Sequence, residues 1–192
     1  MTPTQLARAL DAGAWKAACV RPAVAAFLRT WSDELGDDDR ARLITHHVVL
    51  IALDTHTTDA DDRTAAWLAV DWIVRVHAAA WLDAAGICHA LASLAPIVDM
   101  TTARAASAAL VDASAFAIRM RDGTDPHTMG GTLAAAMAAA RASHVWEPCT
   151  GIARDVAWWA ARLVPRHDAH DVRAVLEISA MHLLARMCKV GR

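Results

Sequence analysis

Asp71, Arg75 and His77 lie close together in the stretch WLAVDWIVRVHAAAWL, which also carries Trp67, Trp72 and Trp81. Asp71 and Arg75 have the i,i+4 spacing of a same-face ion pair on a helix. Such a pair can clamp one helix to a neighbour. It can also present a guanidinium to a substrate carboxylate or phosphate, with Asp71 orienting it. His77 lies beside Val70 and Trp81 on an apolar arc. There it is either a satisfied core imidazole or, facing a pocket, a base whose burial keeps it neutral near pH 7. The candidate catalytic pair is therefore His77 and Asp71. Arg75, Trp67, Trp72, Trp81 and His47 are the candidate binding residues. If the Asp71–Arg75 pair is buried, removing Arg75 alone leaves an uncompensated charge, at roughly 3–5 kcal/mol.

Other polar clusters offer less. His47 and Asp54 share the Leu43/Leu50 face but stand about two helical turns apart, so only a tertiary contact would join them. HDAHD at 167–171 resembles a metal set. Its two carboxylates are equally explained by Asp168 as a helix N-cap with Asp171 three residues on, where negative charge is favoured. Glu177 pairs with Arg173 outside the apolar stripe of the last helix, near His182. No ExxH accompanies the few glutamates, against a carboxylate-bridged di-iron bundle. HExxH, GxSxG and GxxxxGK[ST] are absent. No metal and no cofactor is expected. Haem held by His77 or His144 would lack any attachment motif.

The elements that must position these residues read as helices. Period-2 alternation is rare, and helix starts recur with recognisable caps. Thr2-Pro3 opens a short helix ending near Gly13. Pro22 opens a second, to about Leu35. Asp37 caps a third, carrying Leu43, His47, Leu50 and Asp54. Asp59 with Asp62 begins a long helix ended by Gly86, and a short helix at 87–94 closes at Pro96. Thr101 opens an alanine-rich helix to about Arg121. The helix at about 126–143 contains Gly130-Gly131, a pair costing about 2 kcal/mol relative to alanine in a helix interior. Glu147-Pro148 starts the helix with Trp158-Trp159, and Asp168 caps the last, 169–189. The expectation is a single all-α domain over 1–192, about eight helices around a buried, Trp-rich central helix at 59–85. That helix is apolar on every side, which requires neighbours all round.

Composition narrows the function classes. A chain of 192 residues can bury roughly 70% of its unfolded surface. Net charge is −2, with no run of Lys or Arg, so the basic footprint of a nucleic-acid binder is missing. No window of about twenty residues is strongly apolar and charge-free, which argues against a membrane span. The N-terminus lacks the features of a signal peptide. Cys19, Cys88, Cys149 and Cys188 are far apart and read as reduced thiols, pointing to a cytoplasmic protein. Eight tryptophans set among alanines either fill the core or line a cavity, each needing a partner for its N–H.

The segments CVRPAVAAFLRTWSDELGDDDRARL, AAWLAVDWIVRVHAAAWLDAAGICHALASLAPIVD and LEISAMHLLARM resemble a group of uncharacterised actinobacterial proteins rich in Ala and Trp. The resemblance covers about half the chain, departs from the group over 100–165, and carries no catalytic motif. It implies an all-helical fold and brings no function with it. Two function classes follow. One is a small helical protein with an internal Trp-lined pocket for an apolar small molecule, an enzyme if Asp71, Arg75 and His77 polarise and transfer protons. The other is a non-enzymatic scaffold that forms a homo-oligomer through a helical face.

Overall fold

The computed structural model describes residues 20–35, 58–120, 131–145 and 148–191, with Asp38, Leu43 and Ala52. The expected helix ending near Gly13, and most of the one from Asp37 through His47 to Asp54, lie outside the described residues. Among the described residues the structure is helical without strands, as the resemblance implies. Six helices lie among the described residues, against about eight expected over the whole chain.

Helix α1 is Pro22–Glu34. Proline at its first position lacks an N–H that would go unbonded anyway. Ala23, Val24, Phe27, Leu28 and Trp31 are buried at the spacing of one helical face. Helix α2, Asp59–Ala84, is capped by Thr58 rather than Asp59, in a reciprocal capping box with Asp61. Asp62, expected to complete the cap, instead accepts from the Ala23 N–H at 2.9 Å and from the Ser143 hydroxyl. Those bonds tie α2 to the start of α1 and the end of α4. Within α2 the α-helix stops at Trp72, a π-helical segment runs over Ile73–Ala78, and the α-helix resumes over Ala79–Ala84. Gly86, at φ +68°, carries the left-handed turn beyond it.

The expected helix at 87–94 is only a 3-10 turn, Leu91–Ser93. Between Gly86 and Pro96 there is too little chain to offset the cost of nucleating an α-helix. Helix α3, Met100–Arg119, has a capping box between Asp99 and Thr102. Helix α4 is Gly131–Ala142, and the expected start near 126 and Gly130 lie outside the described residues. Helix α5 is Pro148–Ala161. Helix α6, Arg166–Lys189, begins after Pro165, which moves Asp168 from the predicted cap into the first turn. At its other end, buried Arg21 donates to the carbonyls of Met187 (2.7 Å) and Val190 (2.8 Å), satisfying C-terminal acceptors that the helix leaves open.

Helix α2 is the hub. It packs against α1, α4, α5 and α6, while α3 forms an outer layer lying mainly on α5. By length and composition α2 would suffice to cross a bilayer, which the sequence reading did not anticipate; in the fold, 72% of its apolar window is buried under other helices. Helices α1 and α4 approach so closely that a Cβ on Gly131 would overlap the Glu34 side chain. Buried Ala135, Ala136, Ala139 and Ala140 extend that small-residue surface along α4.

Candidate functional site

The π segment decides how the polar residues of α2 are arranged. Trp72 and His77 are five residues apart, which on an α-helix leaves them about 140° apart around the axis. In an i→i+5 turn they stand on nearly the same side. Their ring centroids are 5.3 Å apart, inclined at 52°. One further α-turn brings Trp81 edge-on to the imidazole, with centroids 6.5 Å apart. His77 and Trp81 are fully buried, and Trp72 nearly so. The structure thus gathers three of the predicted residues, Trp72, His77 and Trp81, into one aromatic cluster.

Hydrogen bonding inside that cluster is uneven. Trp72 Nε1 donates to the Ser179 hydroxyl on α6 at 2.9 Å, and Ser179 donates onward to the Leu176 carbonyl at 2.9 Å. By contrast, Nδ1 and Nε2 of His77 and Nε1 of Trp81 have no hydrogen-bond partner among the described residues. Buried polar atoms are satisfied in the great majority of cases, so three unmatched ones within two adjoining rings set this place apart. Burial alone holds the His77 pKa down from 6.5 to about 3, because the charged imidazolium would be desolvated with no counter-ion. The ring is therefore neutral at physiological pH and offers one N–H donor and one nitrogen acceptor.

Asp71 and Arg75 form a separate site. Arg75 Nη1 donates to Asp71 Oδ1 at 3.0 Å, and the backbone N–H of Ile97 donates to the same oxygen at 2.9 Å. Asp71 thus ties α2 to the segment leading into α3, the structural role weighed for it from sequence. Its side chain is 10% exposed and that of Arg75 24%, so the pair is part-buried rather than enclosed, although Arg75 Nε is buried without a partner. Arg75 and His77, two residues apart, project to roughly opposite sides of the helix, and no hydrogen bond joins His77 to either charge. The expected trio is two sites. Trp67 is half-buried against the edge of the core, and His47 lies outside the described residues.

The remaining candidates resolve simply. His167 bridges its neighbour Asp168 at 3.1 Å on the surface, with His170 and Asp171 also exposed. Among the described residues no three His, Cys, Asp or Glu side chains converge as a metal set would. Cys149 and Cys188 are buried. Exposed Cys88 adjoins His89, but that imidazole is already engaged on both nitrogens, with Asp83 at 2.9 Å and the Leu91 N–H at 3.1 Å. It has no free nitrogen to take a thiol proton.

Sequence reasoning missed the Ser179 hydroxyl, the Ile97 N–H and Arg21. Ser179 and Ile97 meet α2 from more than twenty residues away along the chain, and no local spacing announces them. Arg21 was visible only as the residue before Pro22. No family model matches the chain, and no curated protein or solved structure is similar to it.

Proposed function

We propose that this chain binds a small, mostly apolar molecule at the Trp72/His77/Trp81 cluster. The carrying observation is the fully buried imidazole with both nitrogens unpartnered among the described residues, set in a π-helical segment between two indole rings. Leaving such groups unpaired costs about 1–3 kcal/mol each. A ligand with one hydroxyl or carbonyl group among apolar atoms would recover that cost while burying its hydrocarbon against the indoles. π-Helical turns are themselves frequent at functional sites.

The geometry supports binding better than turnover. A base with a pKa near 3 is poorly matched to abstract a proton at neutral pH. The carboxylates six residues either side of it on the helix are engaged elsewhere, Asp71 by Arg75 and Ile97 and Asp83 by His89. His77 therefore acts as a hydrogen-bonding post. The covered flanks of α2 fit a carrier or sensor that keeps this helix inside the fold.

The test is native mass spectrometry of the purified chain, followed by titration with phenol and other small neutral alcohols read by tryptophan fluorescence. The wild type should retain an adduct or bind an alcohol saturably, and folded His77→Leu should lose that binding by about tenfold or more. Equal binding by the two proteins, or none by the wild type across the series, would overturn the reading.

A further inference from the structure

We propose that the outer face of α3 is a self-association surface, on which a second copy of this chain packs its own α3 antiparallel. The inference is independent of the His77 site. Helix α3 uses one side, Ala103, Ala106, Leu110, Ala113 and Ala117, against the rest of the fold. Its opposite side is exposed and centred on Thr101, Ala108 and Ala115, which recur every seven residues. Large apolar side chains flank that line. Val111 is 52% exposed, Ile118 46% and Phe116 40%, with Met100 at the start of the helix and Val98 and Met120 just beyond its ends. Six of the nine large hydrophobic side chains exposed among the described residues thus lie between 98 and 120. So dense an apolar face on one outer helix is characteristic of an interaction surface.

Charge identifies the occupant. Arg104 and Asp112 lie either side of Ala108, four residues before it and four after, on the exposed face. Neither has an ion-pair partner among the described residues. In an antiparallel pair with its two-fold axis at Ala108, each Arg104 comes level with the Asp112 of the other copy. A two-fold interface repeats every contact, so one complementary pair becomes two. Alanine and threonine along the centre line let the axes close to about 8 Å. At that distance the facing Arg104 and Asp112 Cβ atoms are about 5 Å apart, by helix geometry. The same register sets Thr101 against Ala115 and brings Met100 beside Ile118. A helix of 20 residues offers about 30 Å of such contact.

Sedimentation velocity on the full chain tests this, with circular dichroism confirming that each variant is folded. The wild type should dimerise at micromolar to tens-of-micromolar concentration. Asp112→Arg, which sets four like charges together, should weaken the dimer by about tenfold or more. The exchange Arg104→Asp with Asp112→Arg should restore it. Added salt should weaken the wild type and leave Arg104→Ala/Asp112→Ala less affected. A wild type that stays monomeric at about 100 µM, where a contact this weak would already show, overturns the proposal. So does a dimer unmoved by Asp112→Arg, or one that the exchanged pair fails to restore.

Discussion

Lowering pH should destabilise this protein through His77, well before its carboxylates contribute. In the folded state the imidazole takes up a proton only near pH 3, whereas in the unfolded chain it does so near 6.5. Between those values the unfolded state holds one more proton, so acid favours unfolding. The contribution is complete above 6.5 and is lost progressively as pH falls toward 3. Each pH unit inside the window removes about 1.4 kcal/mol, so going from 6.5 to 5 costs about 2 kcal/mol. Across the whole window the loss is about 5 kcal/mol, comparable with the entire stability of many domains. Asp61 and Asp99 have pKa values held below 3.8, by hydrogen bonds from Thr58 and Thr102 respectively, and lose stability only in stronger acid. The interval from about 6.5 to 5 therefore isolates the histidines. Urea denaturation of wild type and His77→Leu across that interval reads the effect directly. The wild type should lose about 2 kcal/mol more than the variant. Parallel pH profiles for the two proteins would show that His77 is solvated or paired, refuting the argument from its burial.

Two other perturbations have signs fixed by the structure. Asp71→Ala should cost about 2–3 kcal/mol in urea denaturation, since it strips the buried Ile97 N–H and Arg75 of their acceptor, whereas Arg75→Ala should cost only about 1, because Asp71 keeps Ile97 and some access to water. Equal losses would mean that the carboxylate serves the arginine alone. Gly131→Ala would gain up to about 1 kcal/mol from helix propensity, but its methyl group would overlap Glu34, so a net loss of about 1–3 kcal/mol is expected in thermal melts, and a raised Tm would contradict the close α1–α4 approach.

The sequence announced the hub well and the site only in part. An all-round apolar pattern over 67–82 required burial, and α2 is indeed covered by four helices. Pro22 marked a true helix start. Asp71 and Arg75 met as their spacing implied, because four residues make a contact inside one helix. The pairing of His77 with Trp72 was illegible for a matching reason. A wheel drawn at 100° per residue separates them, and a π segment is selected by packing from outside rather than by residue propensity. Thr58 and Pro165 took the cap positions assigned to Asp59 and Asp168, each one to three residues upstream. The helix expected at 87–94 failed on length, since its residue types alone permit it.

The π segment is also a record of chain length. Six residues, Ile73–Ala78, fill a stretch that a regular α-helix would complete with one fewer. Removing a single residue there would leave a continuous α-helix with better backbone geometry and nothing broken in its hydrophobic character. With the residue taken from Ile73–Val76, everything beyond the deletion would keep nearly its present orientation relative to Asp59–Trp72, because the i→i+5 turn already absorbs that extra residue. Trp72, His77 and Trp81 would then follow one another at four-residue steps, about 40° apart around the axis, and would still share one side. A deletion in an α-helical part of the same helix would instead turn all that follows it by about 100°. The π segment is thus a place where the chain can shorten by one residue without parting its aromatic centre.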